Sequence, residues 1–512
     1  MRTSRGWWLV AGVAAGALGL ALSYAVAGLL HVRESPVVAV AEGVIRLTPG
    51  PVAEWAINVF GAADKTALLV GIFLVLTVLF AWIGRIARRR WWLAVLAYVA
   101  LALVGWLAVA VKPGAVGTGL LPLAAGLLGW LVAMAVLAEW LRRWELVEAT
   151  DEPATEPTHS RRWFFMSVGA TAAVALGGWV LGRFASSGRE RVEETRRLLR
   201  LDGVTEPSVP QGVEVGVEGV RPWRTAAQDF YTIDTAIAPP TIEPQDWALR
   251  IHGLVDHELL LTYDDLISRE ITEDWITLNC VSNPVGGDLI GNAWWSGVRW
   301  AAILAEAGPQ DGADAVLQKS EDGWTCGTPL AALMDDRNAL LAVAMNGSPL
   351  PVEHGFPVRS IVPGLYGYVS ACKWVIDVEV TRFDDITAYW TDKGWAELGP
   401  VKMSSRIAVP GPGEDVKTGA LVVAGEAWAQ HTGIAGVAVS LDGGPWTPAD
   451  LARVPNDDTW VQWRVEIDVP AGDHELRVRA SDKSGEIQTG VVRDVLPDGA
   501  TGWHTVSFSA SE

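Results

Sequence analysis

One thiol stands where a metal ligand would. Cys280 lies near the start of Leu278-Asn-Cys-Val-Ser-Asn-Pro-Val-Gly-Gly-Asp-Leu-Ile-Gly291, at the end of an apolar run and ahead of a turn with Asn283, Pro284, Gly286 and Gly287. A thiolate holds soft or high-valent metals, and a glycine-rich turn lets a bulky group approach the backbone closely. A free cysteine is also among the residues most often simply buried, and on the local pattern alone packing is the more frequent use. Downstream, His354 and Arg359 lie five positions apart around Gly355-Phe-Pro357. Such an arginine can hold phosphate through paired hydrogen bonds and such a histidine can donate to a ring, with a surface ion pair or a satisfied core histidine as the plainer alternatives. There is no Walker loop, and Gly364-Leu-Tyr-Gly367 is a poor dinucleotide fingerprint, so no nucleotide is expected.

The elements around these residues read as a mixture. Trp247–Gly253 is patterned as a strand, Thr262–Ser268 as a short helix capped by Thr262, and Trp300–Ala307 as another helix. Alternation without a regular βαβ repeat predicts an α+β domain over residues 227–400. Residues 401–512 are all β by pattern: Val461, Trp463, Val465 and Ile467 alternate with Gln462, Arg464 and Glu466, and Val437–Leu441 runs into Asp442-Gly443-Gly444 as a strand entering a hairpin. Repeated strands with short turns over such a length suggest an immunoglobulin-like β-sandwich. Cys280, Cys326 and Cys372 are too few and too odd in number for a disulfide framework. Cys326 and Cys372 could pair, or each could be a small core residue, and the count favours the latter.

Composition divides the chain further. The net charge is −19 and half the residues are hydrophobic; residues 1–186 carry 15 Lys and Arg against 10 Asp and Glu, and the rest 25 against 49. Phosphate binding needs a basic face, so nucleic acid is not a partner for the acidic part. Within 1–186, the stretches Trp7–Leu30, Thr66–Gly84, Trp91–Val111, Gly119–Trp140 and Trp163–Gly182 are each long and apolar enough to cross a bilayer as a helix. Val37–Phe60 is apolar but broken by Pro49, Gly50 and Pro51, and reads as an extracytoplasmic interfacial or re-entrant segment. Arg2 and Arg5, Arg85 and Arg88 to Arg90, then Arg142, Arg143, Arg161 and Arg162 fall on alternate loops, which sets those loops in the cytoplasm and the C-terminal part outside. The connections around Glu34–Asp64 and Lys112–Thr118 carry few positive charges. Trp7, Trp8, Trp91, Trp92, Trp140 and Trp163 fit a belt at the lipid interface. His31 and His159 lie outside the apolar stretches, which argues against a haem between the helices. Ser160-Arg-Arg-Trp-Phe-Phe-Met166 resembles the twin-arginine export signal, here internal. Residues 187–226, with the charged run Arg189–Arg200 and then Pro207, Pro210 and Pro222, read as a juxtamembrane helix and a solvated spacer.

Two long blocks carry a family resemblance. Leu278–Asn283 with Gly286-Gly-Asp-Leu-Ile-Gly-Asn-Ala-Trp-Trp-Ser-Gly-Val-Arg299, and Met345-Asn-Gly-Ser-Pro-Leu-Pro-Val-Glu-His-Gly-Phe-Pro-Val-Arg359 continuing to Lys373-Trp374, resemble the sulfite oxidase family of molybdopterin enzymes, in a membrane-anchored bacterial form. The resemblance runs from about Phe230 onward. It implies a molybdopterin cofactor with molybdenum bound to the Cys280 thiolate, pterin contacts from Ser282, Asn283, His354, Arg359 and Ser370, and Lys373 as a point charge on the cofactor phosphate. It implies Tyr231 and Thr235 in the opening cofactor segment, where Ile233 and Thr235 replace an Arg and a His often seen in the family. It also implies two-electron oxygen-atom transfer, an electron partner such as a cytochrome or a quinone-linked protein, and a homodimer through the last domain. Where animal and plant sulfite oxidases follow the Cys with arginines of an anion pocket, this chain has Pro284 and Val285; their active-site Tyr has no clear counterpart, with Asp392 and Lys393 near that position. A small anionic substrate would then need Arg299 or Lys393. The expectation is a multi-pass bacterial membrane protein whose enzymatic domain lies outside the cytoplasm. A reductase of sulfoxides, for example oxidised methionine, is the alternative with the same cofactor, and a non-enzymatic anchored binding module the alternative without it.

Overall fold

The computed structural model describes residues 4–30, 36–49, 63–110, 120–149, 157–185 and 188–512, with single positions between 52 and 60. The chain divides into two compact units, Met1–Glu193 with Thr235–Thr241, and Glu194–Asp234 with Ile242–Glu512.

The first unit is helical: α1 (Ser4–Leu29), α2 (Pro36–Leu47), α3 (Asp64–Ala87), α4 (Trp91–Ala110), α5 (Leu120–Ala149), α6 (Pro157–Ala185) and the start of α7 (Gly188–Leu198). Five helices are long and apolar enough to cross a membrane, in the order and places expected. A span must satisfy its own backbone because hydrocarbon offers no partner, and a helix does so. Helix α1 is the hub, packed against α3, α5 and α6. Its crossing with α3 depends on small residues: a Cβ on Gly12 would lie 2.1 Å from the Phe80 carbonyl oxygen, and one on Gly84 2.1 Å from that of Trp8. Inside, Phe80, Tyr98 and Trp130 pack ring to ring, and Trp130 Nε1 donates to the Gly16 carbonyl at 3.0 Å. Leu74, Val75, Val78 and Leu128 point outward and stay more than half exposed, a surface suited to lipid and not to water. At the arginine-bearing end, Glu145 accepts from Trp8 Nε1 at 3.0 Å and Arg88 Nε at 2.7 Å, and Arg161 lies 5.0 Å over the Trp144 ring.

The expected interfacial segment Val37–Phe60 contains α2; several of its later positions, with Arg2 and Lys112–Thr118, lie outside the described residues. The strap 235–241 belongs to this helical unit. Lys65 Nζ donates to the Ala236 carbonyl at 2.6 Å, and Glu42 accepts from the Ile237 amide at 3.4 Å.

The second unit is β-rich. Its first part runs β1 (Ala248–Gly253), β2 (Leu259–Thr262), α8 (Tyr263–Ile267), β3 (Thr272–Asn279), β4 (Ile290–Arg299), α9 (Trp300–Ala307), β5 (Ala315–Ser320), β6 (Thr325–Pro329), α10 (Leu330–Met334), β7 (Leu340–Met345), β8 (Ser348–Pro349), β9 (Arg359–Ile361), α11 (Gly367–Ser370) and β10 (Val375–Thr381). One sheet has the order β2-β1-β10-β5-β6, with β1 and β10 parallel, and the other β3-β4-β7-β8 with β9 also on β7. Thr262 caps α8 as its type predicts, accepting from the Asp265 amide while Asp265 accepts from the Thr262 amide at 2.9 Å.

The second part runs β11 (Ser404–Val409), β12 (Asp415–Lys417), β13 (Gly419–Trp428), β14 (Ile434–Leu441), β15 (Thr447–Pro448), β16 (Asp450–Leu451), β17 (Val461–Val469), β18 (Gly472–Asp482) and β19 (His504–Ser511). They form two sheets, β11-β13-β17-β16 and β12-β19-β18-β14-β15, around a core that includes Val423, Trp463, Val478 and Phe508. On β17 the alternation holds for Val461, Trp463 and Val465 inside and Arg464 and Glu466 outside, but Gln462 is buried too. The cause is the stretch before it in sequence: Gln462 accepts from the Val215 amide at 3.0 Å and donates to the Arg221 carbonyl at 2.8 Å. Residues 206–224, read as a solvated spacer, keep most side chains at least partly exposed but are anchored by the buried Val213 and Trp223. Trp223 is fully buried among Trp275, Trp428 and Trp460, and Trp223 and Trp460 each donate an indole N–H to the other's carbonyl, at 3.1 and 3.0 Å.

Candidate active site

The antiparallel hairpin β3–β4 positions Cys280. Asn279 is opposite Ile290, and the Cys280 amide donates to the Leu289 carbonyl at 3.0 Å, so the thiol sits just past the last rung where the loop 280–289 opens. Asn283 holds that loop from within: its side-chain oxygen accepts from the Leu289 amide at 3.0 Å and its amide donates to Asn279 Oδ1 at 3.4 Å. Ser282 is exposed and hydrogen-bonds the Cys280 sulfur, which favours the thiolate; burial of the thiol is the larger effect and pushes its pKa up.

Gly286 has a φ of 76°, and a Cβ built on it would lie 2.1 Å from the His504 ring, so a side chain is excluded on both grounds. His504 comes from β19; its Nδ1 accepts from the Ile407 amide at 3.0 Å, which leaves Nε2 protonated toward the loop. Val285 lies beside Gly502, which in turn meets Val492, so the rim next to Cys280 is apolar.

The second block supplies the charged wall. His354 is buried, and its Nε2 donates to the Ala227 carbonyl at 2.7 Å; a carbonyl only accepts, so Nδ1 is left as an acceptor. Burial, then the nearby Arg359 charge, pulls the His354 pKa down to about 4, so the ring is neutral. Arg359 is 5% exposed. It donates to the carbonyls of His354 at 3.1 Å and Ala371 at 3.4 Å and lies 5.2 Å over the Trp295 ring, while its Nε has no partner. Burial drags its pKa down to about 10. A buried guanidinium with no carboxylate among the described residues is costly, and an anionic group bound beside it would offset that cost. Gly355, with φ 109°, lets the chain turn between the two: a Cβ there would sit 2.9 Å from Arg359 Cβ.

Tyr231 faces the same space. A Cβ on Gly367 would stand 4.0 Å from its hydroxyl and 3.9 Å from the Asn279 carbonyl, and burial, then the Cys280 charge, drives its pKa up. Its neighbour Phe230 stacks on it and meets Trp295 and His354 edge-on, so an aromatic floor underlies the wall. Tyr366, also close enough to feel the Cys280 charge, is pushed up to about 12, chiefly by burial.

The remaining expected residues are placed differently. Lys373 Nζ is bound to Asp234 at 2.6 Å and to the Glu353 carbonyl at 3.0 Å, so a phosphate would have to share it with a carboxylate. Ser370 is fully buried, its hydroxyl directed at the carbonyls of Leu365 and Tyr366 at 3.2 and 2.9 Å. Thr235 opens the strap 235–241, which groups with the helical unit. Arg299 ends β4, the far end of the hairpin from Cys280, roughly 30 Å away at strand rise, and spends its guanidinium on the carbonyls of Asp335 and Arg337, both at 3.3 Å. It is not part of this site. Lys393 lies 4.9 Å over the Tyr389 ring, on a short turn at Thr391–Lys393. Trp295, Phe230, Asp234 and His504 were not singled out from sequence. Trp295 stands inside the first resembling block, and its place on β4 was the available signal.

Residues 236–390 match a family model described as the oxidoreductase molybdopterin binding domain. The chain is 34% identical over 180 residues to the uncharacterized oxidoreductase YuiH of Bacillus subtilis (strain 168), covering 35% of this chain and 87% of that protein. It is 30% identical over 329 residues to human mitochondrial sulfite oxidase, covering 53% of this chain and 59% of the human enzyme. A solved structure of the sulfane dehydrogenase SoxCD from Paracoccus pantotrophus superposes with a TM-score of 0.50 at 25% identity, over 57% of this chain and 82% of that one.

Proposed function

This chain belongs to the molybdopterin-binding oxidoreductases related to sulfite oxidase, and on that premise we propose that it is a membrane-anchored, extracytoplasmic molybdenum enzyme that transfers an oxygen atom to or from a small substrate. The observation that carries the reading is Arg359: a buried cation with no carboxylate partner among the described residues, near a Tyr231 hydroxyl that is also close enough to feel Cys280. Cys280 is the thiolate ligand to molybdenum. Arg359, His354 through Nδ1, Tyr231 and Ser282 hold the pterin and its phosphate, and Lys373 joins them by exchanging part of its contact with Asp234. When bound, the cofactor supplies the two-electron oxygen-atom chemistry. The protein's part is to bind it, keep His354 neutral as an acceptor, exclude water over Phe230 and Trp295, and shape the rim.

Orientation rests on the arginines of alternate loops, which set the C-terminal part outside. The last two sheets are an immunoglobulin-like sandwich suited to contact between two copies. Electrons pass to or from a cytochrome or a quinone-linked membrane protein. A second reading, reduction of sulfoxides, is favoured by the rim: Pro284, Val285 and Val492 offer apolar contact where a bare anion would want arginine.

The test is elemental analysis for molybdenum in the purified full chain, followed by turnover with sulfite and with sulfoxides in the presence of redox dyes. About one molybdenum per chain is expected, with turnover lost in Cys280→Ser while membrane insertion and folding persist. Full turnover in Cys280→Ser would overturn the ligand assignment, and turnover of sulfite alone would remove the second reading.

A further inference from the structure

We propose that Cys326 and Cys372 are a disulfide-forming pair that closes a covalent loop around the second half of the pocket. Both side chains are fully buried and carry free thiols. Cys372 Sγ contacts the Lys373 carbonyl at 3.8 Å, and Cys326 is among the groups that act on its thiol. Two ties flank the pair and hold their segments side by side: before Cys326 the Glu321 amide donates to the Trp374 carbonyl at 2.9 Å, and after it the Thr328 hydroxyl of β6 donates to the Val369 carbonyl of α11, so the run from Glu321 to Thr328 lies along Val369 to Trp374 with Cys326 and Cys372 between the two ties.

The position gives the bond its meaning. Cys372 stands between Ala371, whose carbonyl accepts from Arg359, and Lys373, which is paired with Asp234; its own carbonyl accepts from the Ser360 amide at 2.8 Å. The loop closed by the bond contains every residue from Gly327 to Ala371, including His354, Arg359 and Ser370. Cross-linking it restricts the unfolded chain and limits how far the charged wall can drift before a cofactor is seated.

The chemistry is thiol–disulfide exchange with an external protein disulfide or oxidised glutathione. The two cysteines give up two protons and two electrons as their Sγ–Sγ bond forms, and the incoming disulfide accepts them as its bond breaks into two thiols. In the folded chain neither sulfur meets solvent, so exchange waits for β6 to open. As the edge strand of its sheet, β6 is held by one neighbour only. Persistence of the bond rests on the extracytoplasmic placement above, because a reducing compartment would keep both thiols reduced.

The experiment is alkylation of the full chain in membranes dissolved in denaturing detergent without reductant, followed by peptide mapping, with protease treatment of spheroplasts reporting which side the β-rich unit occupies. A linked Cys326–Cys372 peptide, lighter by two hydrogens than its reduced parts, is expected, and reductant should lower the thermal midpoint of the parent but not of Cys326→Ala. If the unit is outside and both thiols are alkylated, the pairing is wrong. If the unit is inside, the topology is wrong, and the pairing is then decided by incubating the purified chain with oxidised glutathione: linkage upholds it and two free thiols overturn it.

Discussion

Arg359 and Glu426 are both charged groups with almost no exposure, 5% and 1%, and their surroundings treat them in opposite ways. Arg359 has carbonyls and an aromatic face but no carboxylate among its described partners, and its Nε is left over. Glu426 on β13 has the Arg221 charge at 3.2 Å, itself stacked over Trp460, in the tryptophan seam that joins residues 213–223 to the C-terminal sheets, although its carboxylate oxygens gain no well-aligned hydrogen bond from described residues. Neither burial is free: Arg359 is drawn down to about 10 and Glu426 up to about 7, in each case by desolvation. The difference lies in who compensates. Glu426 has a cationic partner within the chain, whereas Arg359 has no carboxylate among the described residues, which is what the proposed anionic ligand would supply.

Three substitutions sharpen or break that contrast, from the largest effect down. Arg221→Met strands the Glu426 carboxylate and should cost about 3–5 kcal/mol near pH 8, seen as a lower thermal midpoint in detergent with turnover per folded molecule unchanged. An unchanged midpoint would mean that the seam does not depend on the pair. Glu426→Gln should act through pH. The folded carboxyl titrates at about 7 against an ordinary 4.5, so below 4.5 both states are protonated and nothing is lost. Between 4.5 and 7 only the unfolded state ionises, and the parent loses stability as pH rises; above 7 the full cost, roughly 3 kcal/mol, stands. The Gln variant should lack that slope, and parallel midpoint-against-pH curves would count against the argument. Arg359→Met should leave the cofactor-free chain as stable as the parent or more so, while molybdenum occupancy or turnover falls by about 10- to 100-fold. A clear loss of stability in the cofactor-free variant would make Arg359 a structural ion like Glu426.

How much of this was legible beforehand differs by region for physical reasons. The five spans could be read off because bilayer thickness fixes length and the absence of water fixes composition. Strands such as Val461–Val469 and the Thr262 cap could be read because their signals are local. The burial of Trp223 in the spacer was missed because the prolines speak locally, while that burial depends on Trp460, far away in sequence. Arg299 was misjudged for a related reason: a linear motif hides that an antiparallel hairpin sends its two ends apart. Cys280, His354 and Arg359 could be named from type and spacing with the help of the resemblance. Asp234 and His504 could not, since their relevance exists only through Lys373 and Gly286.

The contact between His504 and Gly286 has a consequence in time. The loop that carries Cys280 emerges from the ribosome early, yet the imidazole that presses on it belongs to a strand translated much later. Until that strand has been made and has docked, the His504 ring cannot pack against Gly286, so the loop's final packing waits on the end of the chain.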